Sequence, residues 1–149
     1  MKTENKMTES RFKFSYPIKV RHADTDAQGH VFFGNYFTYF DEAVTGYLEA
    51  IGLPYQKFSE LGIDFFYVDA HCQYKSSAVS GDMLQADARV EKIGNTSVVF
   101  ECAIYRQGSD QKIAGGHVTA VMVNPKTRQP IRVPDKIRQA VMNFEQAER

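Results

Sequence analysis

The chain has 149 residues, 43% of them hydrophobic, and 18 Lys+Arg balance 18 Asp+Glu, so the formal charge is zero with the four histidines neutral. A domain of about this length buries roughly 70% of the surface its unfolded chain exposes and needs neither disulfide nor metal to fold. The scattered, balanced charge lacks a phosphate-backbone footprint and no apolar run approaches the ~18 residues of a spanning helix, so neither nucleic acid nor membrane is an expected partner.

The first ten residues, MKTENKMTES, are polar and lack the apolar centre of a signal peptide. They read as a flexible segment (1–10) ahead of a single domain (11–149), and the expected location is cytoplasmic. Phe12, Phe14, Tyr16, Ile18, Val20 and His22 then alternate with polar residues, a period of two that predicts a half-buried strand. Pro17 within it favours an edge or a bulge, because proline cannot donate to a ladder. After the polar loop ADTDAQGH the period changes. Phe33, Tyr36, Phe37, Phe40, Val44, Tyr47, Leu48 and Ile51 recur at spacings of three and four, predicting a helix of about 17 residues, roughly 25 Å long.

Gly52 and Pro54 supply a stop signal in the expected order, and a short helix from Tyr55 to Leu61 closes at Gly62. Strands follow. Phe66, Val68, Ala70, Cys72 and Tyr74 share one phase; Leu84, Ala86, Ala88 and Val90 form the next strand, and Val98, Phe100, Cys102 and Ile104 the one after the Gly94-Asn95 turn. A last strand runs from about Ile113 to Val123, and Ile137, Val141 and Phe144 mark a C-terminal helix from Pro134 to about Ala147. Strand, long helix, then four strands in succession predicts an α+β fold with a mainly antiparallel sheet, most economically curved around the aromatic helix. Cys72 and Cys102 fit neither a disulfide framework nor a four-ligand zinc site and read as reduced thiols packed as small hydrophobes.

The loop Asp24-Thr25-Asp26-Ala27-Gln28-Gly29-His30 is where chemistry is expected. A carboxylate there lies beside the start of a helix, whose unpaired N–H groups can hold an anion or a polarised carbonyl, an arrangement suited to attack on an ester or thioester. The same residues also serve to cap a helix or close a turn. A calcium loop is disfavoured, since position 12 would be Asn35 rather than a bidentate Glu. The histidines lack zinc-ligand spacing, and His22 reads as structural in the apolar phase of the first strand. No metal is expected.

The stretch VRHADTDAQGHVFFGNYFTYFDEA, Val20 to Ala43, resembles the signature of the 4-hydroxybenzoyl-CoA thioesterase family of hot-dog-fold acyl-CoA thioesterases. Weaker pieces support it in order: I-G-L-P after the helix, Ser80-Gly81-Asp82, and H-V-T-A-V-M-V-N-P from His117. The resemblance implies a hot-dog fold of about five strands around a long central helix, and hydrolysis of an acyl-CoA thioester without a cofactor, coenzyme A being part of the substrate. It implies Asp26 as nucleophile or general base and the backbone N–H of Phe33 as oxyanion donor. Phe33 stands where the family usually carries Tyr or His, which removes a polar side chain but leaves the backbone donor intact. Gly29-His30-Val31 resembles a related branch in which His30 would orient Asn35 or the Asp26 loop.

The family pairs its sheets, implying a homodimer or homotetramer with the site at the subunit interface and Phe65, Phe66 and Tyr67 lining the pocket. Lys75, Lys126, Arg128 and Arg132 are candidates for the coenzyme's phosphates. Two alternatives stay open: a hot-dog hydratase or dehydratase using Asp26 and His30, and a non-catalytic acyl-CoA-binding module.

Overall fold

The computed structural model describes residues 11–146, so the N-terminal segment read as flexible lies outside them. Five strands form one antiparallel sheet in the order β1-β3-β4-β5-β2. These are β1 (Phe14–Lys19), β2 (Asp64–Tyr74), β3 (Met83–Ile93), β4 (Ser97–Arg106) and β5 (Lys112–Val123). Three α-helices accompany them: α1 (Asn35–Ala50), α2 (Tyr55–Glu60) and α3 (Asp135–Gln146). The architecture is the α+β, five-stranded antiparallel sheet of the hot-dog fold, and Pro17 does lie on an edge strand.

The 16-residue α1 packs against β1, β2, β3 and β4. Its aromatic content disfavours an isolated helix by a few tenths of a kcal/mol per residue. Burial reverses this, since sinking a side chain such as Phe40 or Val44 gains about 1.5–3 kcal/mol. Gly46 is required by close approach: a Cβ there would lie 2.8 Å from the Phe14 ring. Leu84, Ala86, Ala88 and Val90 of β3 and Val98, Phe100, Cys102 and Ile104 of β4 are buried on the same side.

Near the C-terminal end of α1, the Tyr47 ring meets Phe14, Phe100 and Phe144 edge-on, and its hydroxyl donates to Glu145 Oε2 at 2.6 Å. Burial, and then that carboxylate, push the Tyr47 hydroxyl far above its ordinary pKa. The same Glu145 oxygen accepts the Val90 N–H at 3.1 Å, beside the irregularity between Val90 and Lys92, so α3 supplies an acceptor where the ladder is interrupted.

Three local expectations change. The first strand ends at Lys19, and His22 lies exposed in a short 3₁₀ turn (His22–Asp24) rather than continuing the apolar phase. Helix α1 begins at Asn35, so Phe33 precedes it and is 63% exposed. In β2 a register shift between Tyr67 and Asp69 breaks the single phase. Phe65 and Tyr67 turn toward the helices, where Phe65 meets Phe58 and Tyr67 donates to Asp41. Phe66 and Val68 face away from the helices and are exposed, Val68 by 61%, while Tyr67 reaches toward Asp41 yet keeps 40% of its surface in solvent.

Candidate active site

The loop between β1 and α1 is built as a small hairpin. Thr25 pairs with Val31, the Asp26 N–H donates to the His30 carbonyl at 3.0 Å and the Gly29 N–H returns to the Asp26 carbonyl at 2.9 Å. Gly29 takes a positive φ of 86°, which closes the turn at low cost only without a side chain. This places Asp26 at the tip, half-buried, with its Oδ1 accepting the Gln28 N–H at 2.9 Å.

Beneath the tip lies Asp24, only 6% exposed. Its carboxylate accepts the Arg21 N–H at 3.0 Å, the Arg21 guanidinium at 2.9 Å and the Tyr39 hydroxyl at 3.0 Å. Burial pushes the Asp24 carboxyl up, but those donors outweigh it and the net direction is below the ordinary carboxylate value. The Asp24 carbonyl accepts both the Phe32 N–H at 3.0 Å and Asn35 Nδ2 at 2.9 Å. Asn35 therefore ties the start of α1 to the loop through Asp24. His30 turns its Nδ1 toward the Val31 carbonyl, 3.3 Å away, and does not meet Asn35.

The chain turns into α1 at Phe33 and Gly34. Among the described residues their N–H groups donate to no backbone carbonyl, and the following helix sets the positive end of its dipole behind them. The Phe33 carbonyl is held by the Tyr74 hydroxyl at 2.9 Å. Burial, and then the neighbouring Cys72 thiol, push that hydroxyl up to about 12. Phe32, Phe33, Tyr36 and Tyr74 form a run of ring contacts around this point.

The remaining sequence candidates do not gather here within one chain. Phe65, Phe66 and Tyr67 lie toward the opposite end of β2 from Tyr74. The four basic candidates are also dispersed. Lys75 follows Tyr74, the Arg128 guanidinium lies 4.7 Å over the Phe66 ring, Arg132 pairs with Asp135, and Lys126 is exposed.

The family profile of the thioesterase-like superfamily matches residues 20–141. The chain is 25% identical to an acyl-CoA thioesterase, YbgC, of Haemophilus influenzae, over 85% of this chain and 93% of that one. Among solved structures it resembles a gentisyl-coenzyme A thioesterase at 29% identity and TM-score 0.75, covering 87% of this chain and 99% of the other. A protein of Aquifex aeolicus aligns at 26% identity and TM-score 0.79, over 86% and 98%. The profile match spans the loop, α1 and all the strands beyond them, so the chain belongs to the thioesterase-like superfamily and is an enzyme of the thioester-hydrolase class.

Proposed function

We propose that this protein hydrolyses an acyl-CoA thioester to free acid and coenzyme A, in the manner of the 4-hydroxybenzoyl-CoA thioesterase branch that its loop resembles. One observation carries the reading: a carboxylate at the tip of the loop hairpin and the N–H groups of Phe33 and Gly34, directed at no backbone acceptor among the described residues, belong to the same short connection between β1 and α1. Asp26 is either the nucleophile, giving a mixed anhydride as the thiolate leaves, or the base that takes a proton from water. In both routes negative charge develops on the thioester oxygen, and the Phe33 N–H with the helix dipole behind it stabilises that charge. His30 and Asn35 act by holding the loop: one carbonyl fixes the Asp26 N–H, one amide fixes Asp24.

The site is completed by a second copy in a homodimer or homotetramer. Support comes from the β2 edge, where Phe66, Tyr67 and Val68 at one end and Tyr74 at the other, the latter beside the exposed Phe33, are exposed in a single chain, an apolar edge that calls for cover. A partner's Phe65–Tyr67 segment would then close the acyl pocket. The relatives that act on gentisyl-coenzyme A and other acyl-CoAs support the coenzyme A class of substrate.

Asp26→Asn tests the assignment by thiol release from a panel of short, long and aryl acyl-CoAs. The variant should fold and melt as the parent does and lose about three orders of magnitude in kcat, the scale of removing a central catalytic group. Undiminished thiol release would overturn the role given to Asp26.

A further inference from the structure

The face of the sheet turned away from α1 carries a cavity of about 470 Å³ that the thioesterase reading leaves unused. Its origin is a gap in a row of side chains. The register places Arg89, Glu101, His117 and His71 side by side across β3, β4, β5 and β2. The next outward row holds Ala103 and then Gly115, which has no side chain, so the surface dips there. Lys112 folds into the dip: a Cβ on Gly115 would lie 2.6 Å from Lys112 Cε and 2.8 Å from its Nζ. Lys75 stands at the rim.

The charges in this cavity do not cancel. Glu101 accepts from Arg11 Nε at 3.2 Å and from Arg89 Nε at 2.7 Å, so its carboxylate is committed to two arginines. Burial pushes it up, but those two cations outweigh burial and keep it below its ordinary value. Glu91 is the other carboxylate of the lining. Against these stand Arg11, Arg89, Lys75 and Lys112, and neither lysine has an acidic partner among the described residues. His71 and His117 stack beside them with centroids 5.4 Å apart, and Asp69 lies 3.7 Å from His117 Nε2. We propose that this hollow binds a small anion with two or more phosphate charges, held by Lys75, Lys112 and the His71–His117 pair. Ammonium and imidazole groups around a floor of bare backbone match phosphate oxygens, and the excess of lysine and arginine over free carboxylates supplies the attraction.

The probe is inorganic pyrophosphate, which is not a thioester, so the outcome does not depend on Asp26 chemistry. Calorimetric titration of the full chain at low salt should show saturable binding, and Lys75→Gln with Lys112→Gln should weaken it about tenfold or more. Gly115→Asp sets a carboxylate under Lys112 without removing a cation and should abolish the same binding, with the thermal midpoint as the check on folding. His117→Gln should weaken the binding about threefold, with the thermal midpoint again as the check on folding. Repeating the titration with ADP and with free coenzyme A separates the sources. Affinity for both that falls in the double-lysine variant marks a general nucleotide site, and a fall for coenzyme A alone marks the substrate's own nucleotide end. No pyrophosphate binding at millimolar concentration, or unchanged affinity in both the double-lysine variant and Gly115→Asp, would overturn the proposal.

Discussion

The loop between β1 and α1 has an inner anchor and an outer tip, and each is an aspartate. Asp24 at the anchor directs its carboxylate to Arg21 and Tyr39 and its carbonyl to Phe32 and Asn35, all within its own chain. Asp26 at the tip accepts from the Gln28 N–H alone among the described residues. A carboxylate whose acceptor sites are filled by its own fold is a fastening, whereas one with acceptor sites to spare can take part in a reaction. Two residues of the same type, two positions apart, are thus left with different acceptor capacity by the donors around them.

Separating stability from activity sharpens that contrast. Asp24→Ala leaves the Tyr39 hydroxyl and the Arg21 N–H without their acceptor and should destabilise the fold by about 3 kcal/mol, lowering the melting temperature by roughly 8 °C. Asp26→Ala should change the melting temperature by less than about 2 °C, since the residue lies at a half-solvated turn. Equal losses in calorimetry would erase the distinction.

Next in size is Gly29→Ala. Nothing lies within 4 Å of the added Cβ, so its effect is the backbone cost of a positive φ, about 1 kcal/mol. Its loss of kcat should exceed what that figure explains, because the tip that carries Asp26 is remade. Tyr39→Phe removes one hydrogen bond to Asp24 and should cost about 1 kcal/mol by denaturant melts, with little change in KM.

The smallest effect is on pH dependence. The folded pKa of Asp24 is lowered, so its contribution is complete above the unfolded carboxylate value near 4 and is lost as pH falls through the folded value. Stability curves of the parent and Asp24→Asn should therefore run parallel at neutral pH and converge on acidification.

Much of the fold is legible in the sequence because each element buries one face with the period of its geometry. The 3.6-residue spacing of Tyr36, Phe40, Val44 and Tyr47 and the two-residue spacing of Val98 to Ile104 both end in the core. Periodicity misleads where a strand lies at an edge. In β2 the register shift between Tyr67 and Asp69 exchanges inward and outward residues, and a phase read from Phe66 to Tyr74 crosses it unseen. Asp26 is legible as a position, through the strand, polar loop and aromatic helix around it. Asp24 is not, because its strongest partners are an arginine three residues earlier and a tyrosine fifteen residues later, and neither spacing is a recognised motif. The hollow around Gly115 is also hidden, since it is an absence of side chain whose neighbours come from β2, β3 and β4.

The two edges of the sheet bear differently on assembly. The six-residue β1 carries Pro17 and is a poor template for another strand. The 11-residue β2 carries no proline and is the other edge of the sheet, with no strand beyond it among the described residues. In the assembly proposed above, one blunted and one open edge would let the chain add a single neighbour and then stop, giving a closed pair instead of a fibre. Such a pair would gain stability by mass action, and the melting temperature of the protein would then rise with its concentration.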